Sequence, residues 1–199
     1  MFRDVLLQQG RADYAPMLDL SAPYHRAYAE RHGLEYVRVD GAQLPDWTGH
    51  WDSIPLFIGL IEQGADRVFW LDADTLIVGD EDVREGLSGH PLTMARHPGE
   101  GGHWNCGVFF IEASGRVWEF FNEVLRRGPG YYPWYQQRIM NELLDRPEWS
   151  GMVGVLDNRW NSTVRHVEAP NPVIMAWHGT PGARGKHDHM LEYIERHMQ

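Results

Sequence analysis

The chain of 199 residues contains a single cysteine, Cys106, and no long apolar run. One cysteine excludes an internal disulfide and is typical of a reducing compartment, so we expect a cytoplasmic location. No apolar stretch approaches the length that a bilayer crossing requires, and no segment has the pattern of a signal peptide. We therefore predict no membrane span.

Positive charge is scarce as well. Lys and Arg total 18 against 28 Asp and Glu, which gives a formal net charge of −10 at pH 7. Proteins that bind the phosphate backbone without sequence specificity carry clustered positive charge. The composition therefore argues against a nucleic-acid-binding function.

Two glycine-rich nucleotide-binding motifs are missing. No G-x-G-x-x-G follows a predicted strand, and the basic segment 179–186 departs from the P-loop pattern. Thr180 stands where the first P-loop glycine is required, and His187 replaces the Ser or Thr that binds Mg²⁺. A P-loop NTPase and a dinucleotide-dependent dehydrogenase are therefore unsupported.

The composition is otherwise ordinary for a globular protein, with 43% hydrophobic and 23% charged residues. At this length it predicts one domain, 1–199, with a sizeable core. We predict strands at 2–8, 34–39, 68–71, 91–95, 104–111, 153–156 and 173–177. We predict helices at 13–32, 52–63, 83–87, 117–127, 134–144 and 188–198. Pro23 should kink or split the first helix, with Ser21 capping its second part. This alternation predicts an α/β fold.

The most informative motif is Asp72-Ala73-Asp74, which directly follows the apolar strand at 68–71. Two carboxylates are costly to bury unless a cation or a bound ligand compensates them. The carboxyl ends of strands in open α/β sheets are also where ligands bind. Hard oxygen ligands predict Mg²⁺ or Mn²⁺, with substrate phosphates completing the shell. The alternative is a strand-end turn whose carboxylates are solvated.

Two other clusters look similar in composition only. Asp80-Glu81-Asp82 follows a glycine rather than an apolar strand, and we predict that it caps the helix at 83–87. His187-Asp188-His189 is interpreted as a solvated helix start. Neither is predicted to bind a metal.

His178 directly follows the apolar strand at 173–177, as Asp74 follows its own strand. We therefore expect the two side chains to meet at one edge of the sheet, although a histidine at a strand end is often structural. A neutral imidazole beside two carboxylates accepts Mn²⁺ more readily than Mg²⁺. The following segment, 179–186, offers backbone N–H groups and two cations, which suit a diphosphate.

Haloacid dehalogenase-type phosphatases also place Asp-x-Asp after an apolar strand and use the first Asp as a nucleophile. That role would fall to Asp72. Their usual pattern has Thr or Val two residues after the second Asp, whereas Leu76 occupies this position and Thr75 comes one residue too early. Their motif also normally opens the chain. Because of these two differences, a haloacid dehalogenase-type phosphatase or phosphotransferase is the alternative and not the first prediction.

Motif segments spread over most of the chain carry a further resemblance: 28–33, 51–56, 68–75, 105–108, 137–141, 160–161 and 177–179. In this order they resemble the GT-A-fold, metal-dependent glycosyltransferases, especially the galactosyl/mannosyltransferase family 34, and also the glycogenin-like family 8. The resemblance implies a Rossmann-like, mixed and mostly parallel central sheet flanked by helices. It also implies a nucleotide-sugar half at about 1–78 and an acceptor-side half at about 79–199.

The function implied by the resemblance is metal-dependent transfer of a sugar from a nucleotide-diphosphate sugar, with a UDP-sugar favoured. The resemblance also implies that the configuration at the anomeric carbon is retained. The acceptor would be a glycan or another hydroxyl-bearing molecule. A modified nucleobase stays open as an acceptor because Arg126-Arg127 could form a local basic patch. A catalytically silent nucleotide-sugar-binding module is the remaining alternative.

The resemblance also implies roles for individual residues. Asp72, Asp74 and His178 would bind Mn²⁺ or Mg²⁺. The residues expected to act in catalysis are Asp74, Asn105 and Gln137. Those expected to bind the donor are Asp72, Ala73, Asp74, Asn105, Gln136, Gln137, His178, Gly179, Arg184 and Lys186. Arg184 and Lys186 compete for the diphosphate contact. Trp104, Trp134 and Trp160 are either core residues or stacking platforms for sugars.

Two positions depart from the family pattern. Gln136 stands where the family usually has an Asp, and Ser53 stands where it commonly has a Lys. The missing carboxylate at position 136 could alter which sugar is bound. We identify no side chain as a general base.

Overall fold

The computed structural model describes residues 2–97, 102–129, 135–164 and 166–198. Its α-helices are α1 (Ala15–His32), α2 (Ser53–Glu62), α3 (Gly115–Arg127), α4 (Tyr135–Leu144) and α5 (Ala183–His197). Its strands are β1 (Asp4–Gly10), β2 (Glu35–Asp40), β3 (Arg67–Asp72), β4 (Thr75–Ile77), β5 (Leu92–Arg96), β6 (Trp104–Glu112), β7 (Val153–Val155), β8 (Ser162–Thr163) and β9 (Ile174–Ala176). Short 3₁₀ helices cover Ala12–Tyr14, Gly49–Trp51, Val83–Gly86, Pro147–Trp149 and Asn158–Asn161.

The main sheet has six strands in the order β2-β1-β3-β6-β5-β7. All run in the same direction except β6, which is antiparallel to both of its neighbours, β3 and β5. The predicted single-domain α/β fold with a mixed, mostly parallel sheet is confirmed. β3, the strand that ends in Asp72, lies in the interior of this sheet.

Both faces of the main sheet are covered, which explains why its central strands are apolar throughout. On one face Trp70 of β3 packs in a cluster with Phe57 of α2 and Phe121 of α3. On the other face Phe69 of β3 packs with Phe110 of β6. Successive side chains of β3 therefore enter different cores, and the strand is fixed in the middle of the molecule.

A second sheet of three strands has the order β4-β9-β8. β4 is antiparallel to β9, and β9 is parallel to β8. The strand predicted at 173–177 therefore does not join the main sheet, because its partner is the short strand that follows the acidic turn. Pairing of Thr75 with Ala176 nevertheless brings the ends of β3 and β9 together.

Several predicted elements have different limits in the structure. α1 is one continuous helix through Pro23, so the predicted split is wrong, and Ser21 donates to Gln8 Oε1 instead of capping a second helix. Gly33 ends α1 in the left-handed conformation, with φ of 65°, as glycine can at little steric cost. The helix predicted at 83–87 is the 3₁₀ helix Val83–Gly86.

α5 begins at Ala183, within the segment predicted to be a flexible loop. Arg184, Gly185 and Lys186 therefore belong to the first turn of a helix. The part of the chain that the structure describes contains no helix with the length and apolar character needed to cross a membrane.

Candidate active site

The acidic turn is held in place by hydrogen bonds to its backbone. Thr75 Oγ1 donates to the carbonyl oxygen of Asp72 at 2.7 Å, and Gln8 Nε2 donates to the same oxygen at 3.3 Å. The backbone N–H of Trp177 donates to the carbonyl oxygen of Asp74 at 3.0 Å. The last contact ties the turn directly to the residue that precedes His178.

Asp72, Asp74 and His178 form a cluster in which one ligand atom from each residue lies within 4.8 Å of the others. His178 Nδ1 is 3.2 Å from Asp74 Oδ1, and Lys186 Nζ is 2.5 Å from Asp74 Oδ2. The Asp74 side chain is 4% exposed. The structure thus brings together the three predicted metal ligands and one of the two predicted basic residues.

The acidic pair has opposite pKa shifts. Loss of solvation raises the pKa of Asp72 to about 7, and the neighbouring charge of Asp74 adds to this shift. Burial by itself also raises the pKa of Asp74, but His178 and Lys186 outweigh it and hold that pKa below its ordinary value. Asp74 in turn raises the pKa of both His178 and Lys186, despite the opposite effect of their burial.

These residues fit a divalent cation. Asp74 Oδ1 is buried and accepts no hydrogen bond from the residues that the structure describes, so it has lone pairs available for a metal. Two carboxylates and one imidazole are the donor set that Mn²⁺ or Mg²⁺ accepts. A nearby lysine cannot bind a metal, but its charge can hold a phosphate oxygen that does.

Two adjoining cavities, of about 300 and 350 Å³, meet at the acidic turn. Volumes of this size are typical of small-molecule sites. Both are lined by His50, Asp72, Asp74, Tyr135, Gln136 and Lys186. The first also includes Gln9, Arg11, Tyr14 and Ala73, and the second also includes His97, Asn105, Gln137, His166, His178 and Gly179.

A buried ion pair supports the first cavity and was not predicted from the sequence. Arg11 Nε donates to Asp52 Oδ2 at 2.6 Å, and the Asp52 side chain is fully buried. Asp52 also accepts the backbone N–H groups of Gln43 and Leu44, each at 2.9 Å. Arg11 and Asp52 are 41 residues apart in sequence, so no local pattern could reveal the pair.

A stacked pair of aromatic rings was also not predicted from the sequence. The rings of His50 and Tyr135 lie 4.4 Å apart with an interplanar angle of 10°, and both line the two cavities. His50 belongs to a 3₁₀ helix and Tyr135 is the first residue of α4. The pair therefore closes one wall where the cavities adjoin.

The predicted donor-binding amides have distinct partners. Asn105 Oδ1 accepts the backbone N–H of Gly107 at 2.8 Å and Asn161 Nδ2 at 3.1 Å. Gln137 Oε1 accepts the backbone N–H of Cys106 at 2.9 Å. Gln136 Oε1, in contrast, is buried without a partner among the described residues. Within the described part of the chain, Gln136 therefore has a side-chain carbonyl oxygen that stabilises no other residue.

The structure separates the two candidate phosphate ligands. Lys186 contacts Asp74, whereas the side chain of Arg184 is 96% exposed and pairs with Asp188. Since residues two apart on a helix point in nearly opposite directions, only one of them can face the cavities. The structure therefore places Arg184 away from the site.

The remaining predicted clusters have structural roles. Asp82 accepts the backbone N–H of Arg84, as predicted for a cap, and Asp80 pairs with Arg31. His187 and His189 lie within α5 and not at the helix start that was predicted.

Of the three tryptophans predicted to be either core residues or stacking surfaces for sugars, two are buried. Trp160 is a core residue that packs against Phe110, and Trp104 is buried beneath the guanidinium of Arg96. Trp134 lies outside the described residues.

Comparison with solved structures identifies the architecture. A glycosyltransferase involved in the glycosylation of the major capsid of PBCV-1 matches with a TM-score of 0.76 and 16% identity, covering 96% of this chain and 99% of that chain. The galactosyltransferase LgtC, in complex with donor and acceptor sugar analogues, matches with a TM-score of 0.65 and 14% identity, covering 98% of this chain and 96% of that one. The chain has the GT-A fold.

A third structure extends the comparison to a longer protein. The glycosyltransferase GlyE of Streptococcus pneumoniae TIGR4 matches with a TM-score of 0.65 and 13% identity, and the match covers 96% of this chain and 60% of that chain. No protein-family model matches the sequence, and neither does any curated protein. At these identities the likeness concerns the GT-A fold alone.

Proposed function

We propose that this GT-A domain is a metal-dependent glycosyltransferase that uses a nucleotide-diphosphate sugar. The observation that carries the proposal is the position of Asp72, Asp74, His178 and Lys186 where two cavities meet. A donor can then place its nucleotide in the first cavity and its sugar in the second. The diphosphate between them would lie at the cluster of carboxylates and cations.

The carboxylates and the imidazole would bind the metal, and the lysine would bind the phosphate. Asp72, Asp74 and His178 would hold Mn²⁺ or Mg²⁺, which when bound neutralises the charge that develops on a leaving diphosphate. Lys186, one helical turn into α5, would hold a phosphate oxygen through Nζ. Ala73 lines the first cavity and Gly179 lines the second, so both would lie close to the bound donor.

The amide side chains would orient the sugar. Asn105 and Gln137 line the second cavity, and each has its carbonyl oxygen engaged by a backbone N–H. Their amide nitrogens are the groups that remain for sugar hydroxyls. Gln137, one of the residues expected to act in catalysis, would lie on the face of the sugar opposite the leaving group. Gln136 Oε1, which has no hydrogen-bond partner among the described residues, would be a further acceptor at the junction. Retention of anomeric configuration, a UDP-sugar donor and a glycan acceptor follow from the resemblance and are part of the proposal.

Thermal stability in the presence of UDP tests the metal and nucleotide together. UDP should raise the melting temperature only with Mn²⁺ present, because ligand and metal binding are linked. Equal stabilisation in EDTA would contradict the metal assignment. Asp74→Asn should keep the fold and lose both donor hydrolysis and transfer in a screen of nucleotide sugars.

The two alternatives predict different results in the same assays. A haloacid dehalogenase-type phosphatase would hydrolyse p-nitrophenyl phosphate and lose that activity in Asp72→Asn. A silent binding module would bind UDP and Mn²⁺ but turn over no donor. The three similar solved structures are glycosyltransferases, so they do not support the phosphatase alternative.

A further inference from the structure

Three hydrogen-bonded steps connect the backbone of β6 to the ring of His178. The N–H of Gly107 donates to Asn105 Oδ1 at 2.8 Å, and Asn161 Nδ2 lies 3.1 Å from the same oxygen. The other end of the Asn161 amide, Oδ1, lies 3.3 Å from His178 Nε2. Asn105 and Asn161 are only 8% and 4% exposed, so water does not compete strongly for these contacts.

The backbone N–H of Gly107 determines which atoms donate and which accept in this row of hydrogen bonds. A backbone N–H can only donate, so the Asn105 atom that it meets must be the carbonyl oxygen. Asn161 then has to present its NH₂ group to that oxygen, and its own oxygen must face His178. A carbonyl oxygen can only accept, so His178 Nε2 must carry a proton. In a neutral imidazole the proton on Nε2 leaves Nδ1 with a lone pair.

Nδ1 is the nitrogen that lies 3.2 Å from Asp74 Oδ1, whose negative charge attracts a proton to Nδ1 as long as no cation is bound there. We propose that Asn161, oriented by Asn105, is a positioning residue that holds His178 in its Nε2–H form and makes Nδ1 the metal-binding atom. Metal-binding histidines usually donate their second ring N–H to an oxygen of the protein, which fixes the tautomer and the ring orientation. The inference rests on the metal site of the proposed function.

Two features of the fold hold the imidazole ring of His178 beside Asn161. Asn161 ends a 3₁₀ helix immediately before β8, and β8 pairs with β9, so Asn161 is carried to the side of His178. The ring also lies against Gly107, where an added Cβ would come within 2.1 Å of Cε1. Glycine at this position leaves the space that the imidazole occupies.

The test compares three variants of the full chain. Asn161→Leu keeps the approximate volume and removes the acceptor. Asn161→Asp keeps an acceptor oxygen toward His178 and loses only the N–H that is donated to Asn105. Asn158→Leu is the matched control, since Asn158 lies in the same 3₁₀ helix but is exposed and outside the hydrogen-bonded row. Mn²⁺ affinity is measured by calorimetry without nucleotide. The tautomer of His178 is read from ¹⁵N correlation spectra at alkaline pH, with Asp74→Ala added to each protein to remove the carboxylate that attracts a proton to Nδ1. The signals are assigned by their absence in His178→Gln.

We expect Asn161→Leu to weaken Mn²⁺ binding by roughly 10- to 100-fold, the usual effect of losing such a partner, and to give a mixture of tautomers. Asn161→Asp and Asn158→Leu should retain tight Mn²⁺ binding and the Nε2–H tautomer. A role in packing alone predicts the reverse order, with Leu tolerated and the buried Asp charge disruptive.

The tautomer separates this inference from the proposed function. If the unaltered protein binds no Mn²⁺, the metal site fails, but an Nε2–H tautomer that becomes mixed in Asn161→Leu still supports the positioning role. An Nε2–H tautomer that persists in Asn161→Leu would overturn that role. So would an Nδ1–H tautomer in Asp74→Ala with Asn161 intact.

Discussion

Gln136 and Gln137 are neighbours in sequence, yet their amide groups have different surroundings. Gln137 Oε1 accepts the N–H of Cys106, while Gln136 Oε1 has no partner among the described residues. A side chain that satisfies a backbone group contributes to folding, and a free carbonyl in a cavity is available to a ligand. Truncation of Gln136 should therefore mainly affect turnover of the donor, whereas truncation of Gln137 should mainly affect the stability of the fold.

We predict that Gln136→Ala lowers kcat for the donor by at least about tenfold, which corresponds to ~1.4 kcal/mol, and leaves the melting temperature unchanged. Gln137→Ala should instead destabilise the protein by roughly 1–3 kcal/mol, because the N–H of Cys106 loses its acceptor. Donor turnover and urea unfolding of both variants check this. Equal stability losses would mean that the side chain of Gln136 also supports the fold.

Lys186 and Arg184 provide a second matched pair, because one lies against Asp74 and the other is exposed. Lys186→Met should weaken UDP binding in the presence of Mn²⁺ by about tenfold, the scale of one charge-assisted hydrogen bond. It should not weaken binding of Mn²⁺ alone, because removing a cation beside Asp74 removes a repulsion. Calorimetry with Arg184→Met as control measures both; equal losses in the two variants would refute the assignment of Lys186.

The raised pKa of Asp72 predicts how stability depends on pH. Its pKa is about 7 in the folded protein, against 3.8 for an exposed aspartate, so the folded state binds the proton more tightly than the unfolded state does. This contribution to stability is present below pH 3.8 and is lost as the pH rises through about 7. Asp72→Asn, which cannot ionise, should therefore melt several degrees higher than the unaltered protein at pH 8 without metal.

The same pair of proteins should melt at nearly the same temperature at pH 4, where Asp72 is protonated. Mn²⁺ should narrow or reverse the difference at pH 8 by stabilising only the protein that retains Asp72. Thermal scans at the two pH values measure this. A constant difference across the range would show that Asp72 does not titrate near neutral pH.

At the scale of elements, α4 completes the hydrogen bonding of β6. The pairing of β3 with β6 ends at Leu71 and Val108, so residues 104–107 extend beyond their neighbour. Asn141 accepts the N–H of Trp104 at 2.7 Å and donates to its carbonyl oxygen at 3.0 Å. Gln137, one turn earlier, accepts the N–H of Cys106. The four-residue spacing of the two amides puts both on one face of α4.

Asn141→Leu tests this arrangement, because Leu has a similar volume and no polar atoms. Two buried backbone groups of Trp104 would lose their partner, so we expect a loss of roughly 2–4 kcal/mol in the free energy of unfolding. Urea titration measures the loss. Gln136→Leu on the same helix, which removes no hydrogen bond within the described chain, should change the stability much less.

The limits of α5 show what sequence reasoning at this scale could not decide. The predicted helix began at 188, so Arg184 and Lys186 both lay in a presumed loop and were equal candidates for a phosphate. The glycines at 179, 182 and 185 make the segment look like a loop. Packing of α5 against α1 and β9 extends the helix to Ala183, and the helical phase then selects Lys186.

For the whole molecule, the order of alternating strands and helices was predictable, and so were the fold and the convergence of Asp72, Asp74 and His178. Local patterns mark each element, and a pair of carboxylates after an apolar strand marks a ligand site. The antiparallel insertion of β6 and the separate sheet of β4, β9 and β8 were not predictable, since they depend on pairings between distant segments. The Arg11–Asp52 ion pair was missed for the same reason.

The main sheet also joins the predicted nucleotide-sugar and acceptor-side halves. β3, from residues 1–78, pairs with β6, from residues 79–199. We therefore predict one cooperative unfolding transition in urea, with coincident curves from circular dichroism and tryptophan fluorescence. Two separated transitions would show that the halves unfold independently.

The pairing of β4 with β9 has a consequence for the order of events during synthesis. The last strand of the main sheet ends at Val155, whereas His178 and Lys186 follow β9. A ribosome therefore delivers the whole sequence of the main sheet before it delivers the third ligand and the lysine. Because chains fold from the N-terminal side as they emerge, the scaffold can form while the acidic turn still lacks its partners. The cation-binding capacity that we propose is therefore acquired after the scaffold.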